Sequence, residues 1–377
     1  MKENPLIELH SFGQSVWLDY LRRGLLTSGE LRRLVDEDGL KGMTSNPSIF
    51  EKAIAGSHDY DQAIRDLALE GKDVDEIYQA LTIEDVQRAA DIFRPVYDRY
   101  EGQDGFVSLE VSPHLAHDTE GTILEARQLW QALNRPNVMI KVPATLEGLP
   151  AIEQLISEGI NVNMTLLFGL PRYRKVAGAY IAGLEKRLAR RQPVERVASV
   201  ASFFLSRIDV LVDPLLEKRM HGNGPQAELA AKLHGQTAIA SARVAYQIYN
   251  DIFGSEHFRE LAGQGAHTQR LLWASTSTKN PNYDDVKYVE ALIGPQTVNT
   301  IPQETLKAYR DHGNPASRLE DGLDLAREVL DRLTEVDIDM ARITQQLEDE
   351  GVEKFIQPFD RLMDTLEKER KAALSDG

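Results

Sequence analysis

A single lysine, Lys141, stands in the middle of the apolar run VMIKVPAT at residues 138–145. Burying an ammonium group costs several kcal/mol unless it is paired or loses its charge. A lysine kept in such a run serves as a Schiff-base nucleophile, as an anchor for pyridoxal phosphate, or as an ion-pair partner. As a nucleophile it must be neutral, and with an unperturbed pKa of about 10.4 only roughly one molecule in 2,500 is neutral at pH 7. Lowering that pKa by about three units demands roughly 4 kcal/mol of bias against the charged form. Desolvation supplies such a bias, and ionised carboxylates nearby oppose it.

Carboxylates do occur on comparable segments. Alternate side chains of a strand share a face. In SVWLD (15–19) Trp17 and Asp19 share one face; in FVSLEVS (106–112) Ser108, Glu110 and Ser112 do; in INVNMTLL (160–167) Asn161, Asn163 and Thr165 do. On the lysine segment Met139, Lys141 and Pro143 oppose Ile140 and Val142. Each segment therefore has one face that is polar or ionisable and one that is aliphatic. Schiff-base chemistry needs such acids, one near the amine for carbinolamine formation and dehydration, and a base for the alcohol proton when the carbon–carbon bond of a β-hydroxy iminium breaks. The competing reading is an internal salt-bridge network in which Lys141 only neutralises Asp19 and Glu110. Such a network offers little net stability over apolar packing, so an active site is the better reading.

Eight strand-like segments position these residues, at 15–19, 39–46, 106–112, 138–143, 160–167, 197–205, 270–276 and 297–301, with amphipathic stretches between most of them. One such stretch, TLEGLPAIEQLISEG, places apolar residues at three- and four-residue spacing, as a helix requires. Eight alternations of strand and helix predict a (β/α)8 TIM barrel. Its aliphatic faces must turn to the helices, which sends Asp19, Glu110, Lys141, Asn163 and Thr165 toward the barrel axis. A doubly wound sheet is the alternative, but neither G-x-G-x-x-G nor a Walker A pattern occurs in the chain. A helical insertion at 48–105, after the second strand, and a C-terminal helical extension at 303–374 exceed what a barrel needs. No Gly- or Pro-rich linker separates them, so residues 1–377 are expected to form a single barrel domain with these helices as decoration.

Composition narrows the function. There is no cysteine, which excludes disulfides, thiolate metal sites and cysteine nucleophiles. The net charge is −16, with acidic residues interspersed among Lys and Arg, which argues against nucleic acid or an anionic membrane as a partner while leaving room for a basic pocket holding one phosphate. No stretch approaches the roughly 18 apolar residues of a membrane span, and the N-terminal residues lack the pattern of a secretory signal. A cytoplasmic location is expected. His114 and His117 form an H-x2-H in the loop after the third strand, but no third ligand is evident, so no metal is expected.

The segments DYLRRG, GMTSNPSIF, VSLEVSP, VMIKVPAT, INVNMTLLF and ASFFLSRID follow, in order, the motif blocks of transaldolases, and the chain resembles that family from about residue 10 to 310. The resemblance implies a class I aldolase-type barrel without a cofactor. It would move a dihydroxyacetone unit from sedoheptulose 7-phosphate or fructose 6-phosphate to an aldose phosphate in the pentose phosphate pathway. It further implies that Lys141 forms the Schiff base, that Asp19 takes and returns the proton of the substrate hydroxyl, and that Glu110 assists dehydration through a water held by Thr165. Asn46 and Asn163 would hold the dihydroxyacetone hydroxyls, with Ser202 nearby and Phe204 on the wall. Arg207 and Ser275 match the phosphate-binding positions of the family. The second arginine that many relatives carry shortly after that serine is absent, and Lys279 is the nearest cation. A lyase that releases dihydroxyacetone to water, a non-catalytic sugar-phosphate-binding barrel and, more remotely, a pyridoxal-phosphate barrel are the competing readings. A homodimer is compatible with all of them.

Overall fold

The computed structural model describes residues 4–375. Eight strands follow the chain in order: β1 (Gln14–Asp19), β2 (Gly42–Thr44), β3 (Phe106–Glu110), β4 (Val138–Pro143), β5 (Val162–Leu167), β6 (Ser199–Phe204), β7 (Arg270–Ala274) and β8 (Thr297–Ile301). They pair in parallel with their sequence neighbours, and β8 pairs with β1 to close the barrel. The expected fold is the observed one. Parallel strands covered by helices are buried on both faces, and here every strand residue is buried except Asp19 and Arg270 at two strand ends.

The second strand is shorter than its expected span of 39–46. Gly39 takes a left-handed conformation (φ 68°), and Asn46 is already the N-cap of the helix Pro47–Ile54, which trims the strand from both sides. Its Gly42 is required where it stands. A Cβ there would lie 2.5 Å from atoms of the Trp17 indole, which fills the barrel at that level. The Trp17 Nε1–H donates to Asp104 Oδ1 at 2.8 Å, and Arg270 donates to Ser15 Oγ at 2.9 Å, so polar side chains plug the N-terminal end of the barrel.

The strand pairing sets the level of the inward side chains. Glu110 is the partner of Lys141, and Lys141 of Asn163, so three of the expected site residues lie side by side on β3, β4 and β5. Between Met164 and Leu167 the β5–β6 register shifts, and Leu166 adopts φ 57°, a left-handed conformation unusual for a leucine. Bulges of this kind re-aim side chains beside active sites.

The insertion after β2 forms three helices, Pro47–Ile54, Asp61–Leu69 and Val74–Arg99, the last started by a capping box of Asp73 with Glu76. The long C-terminal helix Met340–Ser375 packs against all three, and also against β5 and the helix Ser206–Met220 that follows β6. Among the described residues no helix is long and apolar enough to cross a membrane.

Candidate active site

Lys141 is almost wholly buried, at 4 % exposure, and its Nζ has two polar neighbours. It donates to the Ser45 carbonyl at 3.1 Å and lies 3.4 Å from Glu110 Oε2, an ion pair outside hydrogen-bonding geometry. Ser45 is held in turn by its own hydroxyl, which donates to the Ser108 carbonyl at 2.7 Å. Both Glu110 oxygens and Thr165 Oγ1 are buried without a hydrogen-bonding partner among the described residues. Buried polar atoms are paired in the great majority of cases, so three unpaired atoms on the two strands that flank the lysine strand stand out. Burial outweighs the attraction of Lys141 and pushes the Glu110 carboxyl up to about 7.

Asp19 stands apart from this pair. It accepts from Thr44 Oγ1 at 2.7 Å, and Thr44 is bonded to Thr300 on β8 at 2.6 Å. Burial raises its pKa, with Lys141, the Thr44 hydroxyl and Arg207 pulling the other way. Two carboxyls from different strands, Asp19 on the cavity wall and Glu110 behind it beside Lys141, thus have their acidity weakened by burial, as proton transfer near neutral pH requires.

Lys141, Asp19, Asn46, Ser202, Phe204, Arg207, Ser275 and Lys279 all line one cavity of about 130 Å³ at the C-terminal ends of the strands. Glu110, Asn163 and Thr165 do not line it. Asn163 supports it from the side, donating to Ser108 Oγ at 3.0 Å and accepting from Ser202 Oγ at 2.6 Å. Asn46 caps its helix by accepting from the Ile49 N–H at 3.0 Å, which leaves its amide nitrogen as the donor for a ligand.

The cationic side of the cavity is built on the helix Ser206–Met220. Arg207 lies in its first turn, where the backbone N–H groups and the helix dipole favour an anion. One guanidinium nitrogen, Nη1, is buried without a hydrogen-bonding partner among the described residues, and burial lowers the Arg207 pKa. Ser275, itself left-handed at φ 55°, is joined to Ser206 by a 2.8 Å hydroxyl contact. Lys279 is exposed at the rim, where its Nζ donates to Ser277 Oγ at 2.7 Å.

Sequence reasoning missed three contributors. Thr44 and Thr300 complete the hydrogen bonding of Asp19, and Thr44 was accessible from the alternation on its strand, two residues after Gly42. Phe355, on the C-terminal helix, lies with its ring centre 5.6 Å from Lys141 Nζ, so that extension is part of the site and not mere decoration. His114 and His117 are exposed and pair with different carboxylates, Asp360 at 2.7 Å and Glu147 at 3.2 Å. A larger cavity, about 320 Å³, opens at the N-terminal end of the barrel near His267 and Arg270. Size does not choose the site, because the C-terminal cavity is the one lined by a buried amine together with a carboxylate among the described residues, at the end where barrel enzymes work.

A barrel that buries a primary amine against one carboxyl, with a second carboxyl on the wall of the same cavity, is equipped for carbonyl chemistry, and it stands with the barrel enzymes that work through lysine. The chain belongs to the transaldolase/fructose-6-phosphate aldolase family, whose model matches residues 16–366. It is 49 % identical over 377 residues to a protein named transaldolase 2 from Nostoc punctiforme, covering 98 % of this chain and 99 % of that one. It is 48 % identical over 376 residues to a transaldolase from Trichodesmium erythraeum, and 46 % over 370 residues to one from Thermobifida fusca, each covering 98 % of this chain and 99 % of the relative.

Proposed function

We propose that in this transaldolase Lys141 attacks the ketone carbon of a ketose phosphate and holds the dihydroxyacetone unit as a Schiff base while the aldose phosphate is exchanged. The observation that carries the reading is the Lys141–Glu110 contact at 3.4 Å, beside a cavity that Lys141 lines together with Arg207 and its unpaired guanidinium nitrogen. An amine, a carboxyl that titrates near neutrality and an anion-binding fork are the three parts the reaction needs.

On this reading the amine adds to the carbonyl, and Glu110 gives the proton that lets the carbinolamine lose water, acting through a water placed by the Thr165 hydroxyl. Asp19 takes the proton of the hydroxyl beside the bond to be broken. The carbon–carbon bond breaks, its electron pair flows into the iminium to give an enamine on Lys141, and the aldose phosphate leaves. An acceptor aldehyde is attacked by the same carbon, Asp19 returns the proton to its oxygen, and water releases the new ketose. Asn46 and Ser202, with Asn163 behind, hold the three-carbon hydroxyls. Phe204 forms a wall, its ring 5.3 Å from the Arg207 guanidinium. Arg207, the start of its helix and Ser275 after β7 hold the phosphate, with Lys279 as a point charge where relatives place a second arginine.

Donors are sedoheptulose 7-phosphate or fructose 6-phosphate, and the phosphorylated sugars place the work in the cytoplasm, since such anions do not cross a bilayer unaided. The inserted helices and the C-terminal helix form one unit with the barrel on this reading. Borohydride reduction in the presence of fructose 6-phosphate, followed by peptide mapping, is the test. A reduced three-carbon adduct on Lys141 with turnover that depends on erythrose 4-phosphate supports it, acceptor-independent release makes the enzyme a lyase, and no adduct refutes the Schiff base.

A further inference from the structure

The C-terminal helix Met340–Ser375 is more than a brace. Phe355 is 3 % exposed, and its ring centre lies 5.6 Å from Lys141 Nζ and 5.8 Å from the Arg207 guanidinium. It lines both the 130 Å³ inner cavity and the 350 Å³ vestibule outside it, and so stands at the boundary between the reacting amine and solvent.

The helix is latched in this place. Gly351 and Phe355 fall on one face, four residues apart. A glycine inside a helix costs about 1 kcal/mol relative to alanine, and here it permits close approach, since a Cβ at Gly351 would lie 3.0 Å from the Leu166 side chain at the β5 bulge. Glu348, three residues before it, pairs with Arg172 at 2.9 Å, and the same guanidinium nitrogen donates to the Ala144 carbonyl at 2.6 Å, just beyond the end of the lysine strand. Asp360 and Arg361 fix the next turn to His114 and Glu51 at 2.7 and 2.6 Å.

We propose that Phe355, held by this helix, is the positioning residue that decides between transfer and release, by keeping solvent from the enamine on Lys141. The inference rests on the Schiff-base reading above. With the acceptor absent, the enamine carbon can instead take a proton, and hydrolysis of the iminium frees dihydroxyacetone and regenerates the amine. The balance of that side reaction is fructose 6-phosphate to glyceraldehyde 3-phosphate plus dihydroxyacetone. It requires a proton donor and then water at the place the Phe355 ring covers. Excluding water also protects reactive intermediates in closed active sites generally.

The test measures free dihydroxyacetone against sedoheptulose 7-phosphate formed, with fructose 6-phosphate as donor and erythrose 4-phosphate present, for the full chain and for Phe355→Ala, Phe355→Leu and Glu348→Gln. Phe355→Ala should raise the ratio of release to transfer tenfold or more while the borohydride adduct on Lys141 still forms, with smaller rises in the other two. A fall in both reactions at an unchanged ratio would make Phe355 merely structural and overturn the proposal. If Phe355→Ala does not fold, an unchanged ratio in both Phe355→Leu and Glu348→Gln has the same meaning. An unmodified chain that yields no adduct at all overturns the Schiff-base reading first, and is told apart by that result.

Discussion

Glu110 and Lys141 face each other across one rung of the β3–β4 pairing, with Glu110 Oε2 3.4 Å from Lys141 Nζ, and burial still outweighs that attraction enough to hold the carboxyl near pKa 7. A group raised from 4.5 in the unfolded chain to about 7 in the fold contributes stability that is complete below about pH 4.5 and is lost as pH rises through 7. Glu110→Gln removes the titration. Its stability relative to the unmodified chain should therefore rise between pH 5 and 8, by on the order of 3 kcal/mol for a shift of that size. Thermal unfolding of both proteins across that range checks the sign, and parallel curves would show that Glu110 does not titrate there.

Asp19 and Lys141 should separate in a trapping experiment, because they serve different steps. Lys141→Ala should lose both the borohydride adduct and turnover. Asp19→Asn should keep the adduct, since the amine is intact, yet lose about 10²–10⁴-fold in kcat when the substrate hydroxyl has no base. Mass spectrometry of the reduced protein separates the two cases. An Asp19→Asn variant with near-normal turnover would remove Asp19 from the proton transfer.

The barrel was legible because strands with polar residues on one face and aliphatic ones on the other can satisfy both only around a closed axis. The same alternation turns Asp19, Glu110 and Lys141 to one interior, and the motif order supplies the residues on loops and helix starts, such as Asn46 and Arg207. Two things were not legible. The left-handed Leu166 at the β5 bulge has no signature in INVNMTLL, since leucine is poorly suited to that conformation and only the surrounding packing imposes it. Phe355 was hidden for a different reason. Its helix carries an ordinary apolar seam through Val352, Phe355, Leu362 and Leu366, which looks the same whether it covers the side of a barrel or its mouth.

Arg207 and Lys279 should differ in weight at the phosphate. Arg207 offers a buried, unpaired nitrogen at a helix start, while Lys279 is exposed and already donates to Ser277 at 2.7 Å. Charge-assisted hydrogen bonds contribute about 1.5–3 kcal/mol each, so Arg207→Ala should raise KM for fructose 6-phosphate by roughly 10–150-fold and spare adduct formation with unphosphorylated dihydroxyacetone. Lys279→Ala should raise KM less than about tenfold, as a screened surface charge does. Steady-state kinetics with phosphorylated and unphosphorylated substrates decides, and equal effects of the two variants would contradict this ranking.

Gly42 offers a test of the barrel that substitutes no residue lining the pocket. Its missing side chain makes room for the Trp17 indole, and the ring is anchored by the 2.8 Å bond from its Nε1–H to Asp104 Oδ1, so it cannot swing aside without leaving a buried carboxylate short of a donor. A methyl group placed 2.5 Å from the ring must push strand β2 or the indole out of register. Overpacking of this kind costs about 1–3 kcal/mol, and the lost Asp104 contact adds to it. Gly42→Ala should therefore lower the unfolding midpoint by several degrees. The displacement would reach the chemistry through Thr44, two residues along the same face, whose hydroxyl bonds Asp19 at 2.7 Å. A calorimetric scan paired with kcat measures both consequences, and a variant with an unchanged midpoint would mean that the ring has more room than its contacts allow.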